Sequence, residues 1–172
     1  MVKHSQLFID SLIHPKKLAA YRMLPIGKTI QYVFILITLI MIFSFTQFVM
    51  GMSTTDTNYY NIEGLTQYVE DIQWLLYPFA LLILLMTTTA LIFLQISVYA
   101  FIGVGILKLN KRRGEYRHVW RSSALAITWT TLLSILFSFI PIQDVLETII
   151  GIVITIIILF IASTKYPKMP KK

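Results

Sequence analysis

Between Trp74 and Leu107 the chain runs for 34 residues without one charged side chain. Coiled as a helix, such a stretch is about 51 Å long, more than the ~30 Å hydrocarbon layer of a bilayer. It is too long for one upright crossing and too short for two crossings with a turn. Three further uncharged runs follow the same rule: Ile30–Met50, Ser122–Ile140 and Thr148–Ser163. In lipid, backbone N–H and C=O groups must be satisfied within the segment, so these runs have to be helices, including the Ile- and Thr-rich fourth. None alternates polar with apolar residues, which excludes a transmembrane barrel. With 56 % hydrophobic and 13 % charged residues, the chain lies far from the ~25 % charge of soluble domains. The expected fold is all-α, a polytopic membrane protein with four transmembrane helices.

The charges say which way the helices run. All fifteen Lys and Arg fall in three segments: the arm 1–28, the loop 108–121 and the tail 164–172. Segments 51–73 and 141–147 hold none, yet they carry six of the eight acids, Asp56, Glu63, Glu70, Asp71, Asp144 and Glu147. Basic loops stay in the cytoplasm. The alternation therefore predicts spans at 30–50, 74–107, 122–140 and 148–163, with both termini inside. Acidic flank before and basic flank after require 74–107 to cross an odd number of times, hence as one long tilted helix. The whole chain is one membrane domain, and no cleaved signal peptide is expected, because the first apolar run starts late and is long.

The arm is a basic amphipathic segment. Leu7, Phe8, Leu12 and Ile13 fall on one helical face, opposite Lys3, Gln6 and Asp10. Pro15 suits the first turn of a second short helix, with Lys16, Lys17 and Arg22 on its wet side. An interfacial helix, apolar face down, is the expected result, with Lys28 at the juxtamembrane turn. Gly27-Lys28-Thr29 resembles the end of a phosphate-binding loop, but that pattern needs glycine where Arg22 stands, and Pro25 removes an N–H donor. Asp144 and Glu147 fit a capping box for the fourth span, and Asp71 an N-cap for the second.

The four runs contain no Asp, Glu, Lys, Arg or His. Intramembrane proteolysis and proton relays place ionisable groups at that depth, so neither is expected. The chain has no cysteine, and His4, His14 and His118 have no ligand spacing. No catalytic residue, cofactor or metal site is expected, and the protein is read as no enzyme. Neutral polar residues do recur at helical intervals: Thr88, Gln95 and Tyr99 in the second run, Thr128, Thr131 and Ser134 in the third. They are expected at helix–helix contacts. In the central loop, Arg113, Arg117 and Arg121 at i, i+4, i+8 with Tyr116 and Trp120 predict a stripe touching anionic lipid headgroups or a protein partner. Its place against a span argues against nucleic acid.

Two stretches carry a family resemblance. "SLIHPKKLAAYRMLPIGKTIQYVF" and, later, "YRHVWRSSALA" resemble bacterial multi-pass membrane proteins of unknown function, some termed maltodextrin-utilisation proteins, within the Yip-type membrane superfamily. Relatives carry a sizeable extracytoplasmic domain after the first span, whereas here that stretch is only 51–73. The resemblance implies a bacterial cytoplasmic-membrane protein without established catalysis. The leading expectation is an accessory or scaffold protein of a membrane complex, beside a transporter, with a membrane-protein partner or as a homo-oligomer. The alternative is a small permease or channel acting as an oligomer.

Overall fold

Every regular element among the described residues is a helix. The computed structural model describes residues 3–54, 65–139 and 144–169, with side chains described except at 52–54, 65–71, 73 and 144. The order is α1 (His4–Ile13), a 3-10 helix (Pro15–Met23), α2 (Ile26–Thr54), α3 (Leu65–Leu109), α4 (Tyr116–Phe137) and α5 (Asp144–Ser163). Three of these contain stretches long and apolar enough to cross a membrane: Ile26–Gly51, Trp74–Leu109 and Val145–Ser163, with mean hydropathies of 2.4, 2.3 and 2.8.

α4 is not among them. The expected third span, 122–140, lies mostly in a helix whose buried residues are Val119, Ser122–Thr128 and Thr131, rich in Ala, Ser and Thr. The reason is position. α4 packs against every other helix, α1 and the 3-10 helix included. A helix wrapped by protein gains from small side chains that let neighbours approach, and its hydropathy falls accordingly.

Aromatic and hydroxyl contacts set the directions. Phe34 meets Phe93 at 6.2 Å and Phe45 meets Tyr77 at 6.5 Å, so α2 and α3 are antiparallel. Tyr32 bonds Thr128 and Phe43 meets Phe139, so α2 and α4 run the same way. Thr130 reaches Gly151 while Ser122 reaches Tyr166, which makes α5 antiparallel to α4. The start of α2, the end of α3, the start of α4 and the end of α5 therefore share one end of the bundle.

Two close approaches depend on glycine. A Cβ on Gly103 would lie 2.6 Å from Val119 Cγ1, and one on Gly151 would lie 2.7 Å from Thr130 Cγ2. At 45 residues α3 is about 67 Å long, and it continues past the membrane-length stretch. It also begins at Leu65, so Asp71 stands inside the helix and not at its N-cap. The Asp144 half of the expected capping box lies outside the described side chains.

Candidate functional site: a cationic cap

The bundle end that gathers the basic segments is built by two folded-back pieces of chain. The first is the arm. Pro15 stops α1 and opens the 3-10 helix, which turns the chain back so that Lys17 and Tyr21 meet Asp10. Lys17 Nζ lies 2.8 Å from Asp10 Oδ1, and Tyr21 Oη donates to Oδ2 at 2.5 Å. His14 Nδ1 stands 3.3 Å from the same carboxylate. The Lys17 hydrogen bond, then that of Tyr21, hold the Asp10 carboxyl below its ordinary range. Burial, with Asp10 beside it, pushes the Tyr21 phenol up to about 12.

This corrects the expected place of Asp10 on the wet face of α1: Leu7, Asp10 and Ser11 are the buried residues, Phe8 and Leu12 are half-buried, and Lys3 and Gln6 are exposed. Asp10 turns inward because it ties the arm's hairpin. The helix is docked on protein as well. Ser11 Oγ meets Tyr32 Oη at 3.2 Å, Tyr32 meets Thr128 Oγ1 at 2.7 Å, and Trp129 Nε1 donates to Leu12 O at 3.1 Å. From α4, Arg121 Nη1 donates to Arg22 O at 2.7 Å and Ser122 Oγ to Leu18 O at 3.0 Å. Arg121 thereby satisfies a carbonyl in the last turn of the 3-10 helix, and Ser122 adds a second tie to its middle.

The second piece is the tail, strapped to the central loop. Arg113 N donates to Pro167 O at 2.8 Å and Met169 N to Lys111 O at 3.0 Å. Arg112 Nη1 donates to Tyr166 O at 2.7 Å, and Asn110 Nδ2 to Ser163 Oγ at 2.8 Å. Lys111 takes a left-handed φ of 53° to make the turn. At Gly114 a Cβ would sit 2.5 Å from Leu107 Cδ1, with the Tyr166 ring close behind. Tyr166 joins the two pieces: its hydroxyl meets Ser122 Oγ at 2.7 Å, and the Arg22 guanidinium lies 5.4 Å above its ring.

The expected stripe is divided by this arrangement. Arg113 and Arg117 are exposed, with Arg117 Nε 2.6 Å from Glu115 Oε2, and Tyr116 is exposed beside them. Arg113 precedes α4, so it is not in helical register with the others. Trp120 stacks on Phe93 at 6.2 Å, and Arg121 turns inward to the arm. Among the arm cations, Lys16 and Lys17 are exposed while Arg22 and Lys28 are half-buried. Of the polar residues, Tyr99, Thr128 and Thr131 are buried, Thr88 and Gln95 are half-buried, and Ser134 is exposed.

Sequence reasoning missed Asp10, Ser122 and Tyr166, the three residues that hold the cap together. A lone acid in a basic arm was the available signal for Asp10. Burial depresses the His118 imidazole, against the pull of Glu115. No group of three or more His, Cys, Asp or Glu that could hold a metal occurs among the described residues. The end can present positive charge and backbone-anchored aromatic surface to an anionic or protein partner.

One protein family matches, described as Protein of unknown function (DUF1189), over residues 50–163. The match takes in α3, α4 and α5 and leaves the arm outside it. No curated protein and no solved structure matches the chain.

Proposed function

With the chain belonging to the DUF1189 family, we propose that it is a non-enzymatic, multi-pass protein of the bacterial cytoplasmic membrane, an accessory or scaffold subunit of a membrane complex. The observation that carries this reading is the cationic cap. A folded arm, loop and tail are bound together by side-chain-to-backbone hydrogen bonds, leaving Arg113, Tyr116 and Arg117 outward. A preorganised surface of this kind costs less to dock than a loose leader. The resemblance of 11–34 and 116–126 to multi-pass membrane proteins of unknown function is in keeping with a membrane-protein role of this kind.

α4 serves as the third of four spans in this reading, shielded from lipid by α2, α3 and α5, and both termini lie in the cytoplasm. The basic ends of the helices support that orientation. The test is affinity purification from native membrane, with the Arg113→Gln/Tyr116→Ala/Arg117→Gln variant as comparison. A membrane protein that co-purifies with wild type and is lost from the variant is the expected outcome. A solute or ion flux from the protein reconstituted alone in liposomes would instead establish the permease alternative.

A further inference from the structure

A groove of about 490 Å³ runs between the 3-10 helix and the chain just past α5, bordered by Lys16, Ala19, Ala20, Arg22, Met23 and Lys165. Lys17 also reaches it, but its ammonium is committed to Asp10 at 2.8 Å. Both oxygens of that carboxylate are engaged, by Lys17 and by Tyr21. Glu115, the other described acid at this end of the bundle, is paired with Arg117. No carboxylate pairs with Lys16, Arg22 or Lys165 among the described residues. Three cations thus share one groove without a counter-charge.

The fold holds Arg22 there. Ala19 and Ala20 line the groove with small side chains. Arg22 is fixed at both ends, its carbonyl by Arg121 and its guanidinium over the Tyr166 ring. The C-terminus of α5 contributes about half a negative charge, which is too little to balance three cations. A groove of this size holds a small anion, and guanidinium with ammonium groups is the donor set that phosphate oxygens favour.

We propose that this groove binds a phosphate group, supplied by the headgroup of an anionic phospholipid in the adjoining leaflet. The apolar rim favours the lipid source. Met23 at the groove and Ile26 at the start of α2 are 71 % and 52 % exposed, and they offer acyl chains a surface next to the cations. The site is distinct from the outward Arg113–Arg117 surface and stands if that surface binds nothing. Only its lipid source rests on the membrane reading.

Purified full-length protein in detergent is incubated with phosphatidylglycerol, phosphatidylcholine or inorganic phosphate, and retained lipid is counted by native mass spectrometry. The Lys16→Gln/Lys165→Gln variant removes two exposed side chains, and Arg22→Gln is tested separately. Wild type should retain phosphatidylglycerol over phosphatidylcholine, and the double variant should retain it about thirty-fold less. The charge-matched Lys108→Gln/Lys168→Gln variant should keep most of it. Equal loss in both double variants would reduce the site to general surface charge and overturn the proposal, as would unchanged retention in the groove variants. Displacement of phosphatidylglycerol by millimolar inorganic phosphate would overturn the lipid source and leave a soluble phosphate as the ligand. Recovery of wild type outside the membrane fraction would fell the membrane reading, while the inorganic-phosphate arm would still report on the groove.

Discussion

Asp10 shows how one side chain can organise a segment. Its carboxylate replaces water with an ammonium and a phenol, and the two donors come from the turn that follows it. Replacing Asp10 with Ala should loosen the arm by about 1–3 kcal/mol, since two donors lose a charged acceptor. Faster tryptic cleavage after Lys16 and Lys17, with the bundle intact, would register it. The pH dependence has a definite sign. The folded Asp10 carboxyl titrates below its ordinary 3.8, so its contribution is present above that pH and fades as pH falls further. Tyr21 titrates at about 12 folded against 10.0 ordinarily, so its contribution is whole below pH 10 and lost as pH rises toward 12. Trp129, bonded to Leu12 O, is a reporter of docking, and its fluorescence should hold steady between those limits in wild type. A transition near neutral pH would count against Asp10 as the tie.

At the scale of elements, α4 and α5 are held by a glycine and a threonine. Thr130 Oγ1 donates to Gly151 O at 3.1 Å and also meets Thr155 Oγ1. Gly151→Ala brings a methyl against Thr130 Cγ2 and should cost about 1–3 kcal/mol by overpacking. Thr130→Ser removes that methyl and keeps the hydroxyl. The double variant should recover most of the thermal stability in detergent, a coupling that a double-mutant cycle measures. Simple additivity of the two losses would show that the helices do not meet there. Ser122 joins three elements through Leu18 O and Tyr166 Oη. Ser122→Ala should therefore release arm and tail together, by about 1–2 kcal/mol, seen as raised hydrogen exchange in both segments. Exchange confined to one of them would mean that the hydroxyl is not the link.

For the whole molecule, the testable property is orientation. The chain lacks cysteine, so single thiols report cleanly. Gly114 is a poor site, because a side chain there meets Leu107 and Tyr166. Leu109, 84 % exposed, is the better choice at the cap. Asn61→Cys should react with an impermeant maleimide from outside and Leu109→Cys only after the membrane is opened. Labelling of both from one side would make α3 something other than a single crossing, and the four-span arrangement would fall with it.

Helical class and membrane character were legible because each rests on a local property. A long uncharged run has to satisfy its own backbone, and hydropathy adds up residue by residue. The runs at 30–50, 74–107 and 148–163 follow from that alone, and they lie within the membrane-length stretches 26–51, 74–109 and 145–163. The role of α4 was not readable in this way. A helix surrounded by others is chosen for small, hydroxyl-bearing side chains, and composition cannot tell protein surroundings from lipid. Within the arm, Asp10 was assigned to the wrong face for a related reason. Amphipathicity assumes water on one side and apolar matter on the other, whereas Asp10 faces a partner seven residues on, brought there by Pro15. The groove joins Lys16 and Arg22 to Lys165, nearly the full chain apart, and the junction of Ser122 with Leu18 and Tyr166 spans as far. Such contacts exist only once the helices are packed with their ends in register, which makes them a property of the tertiary structure.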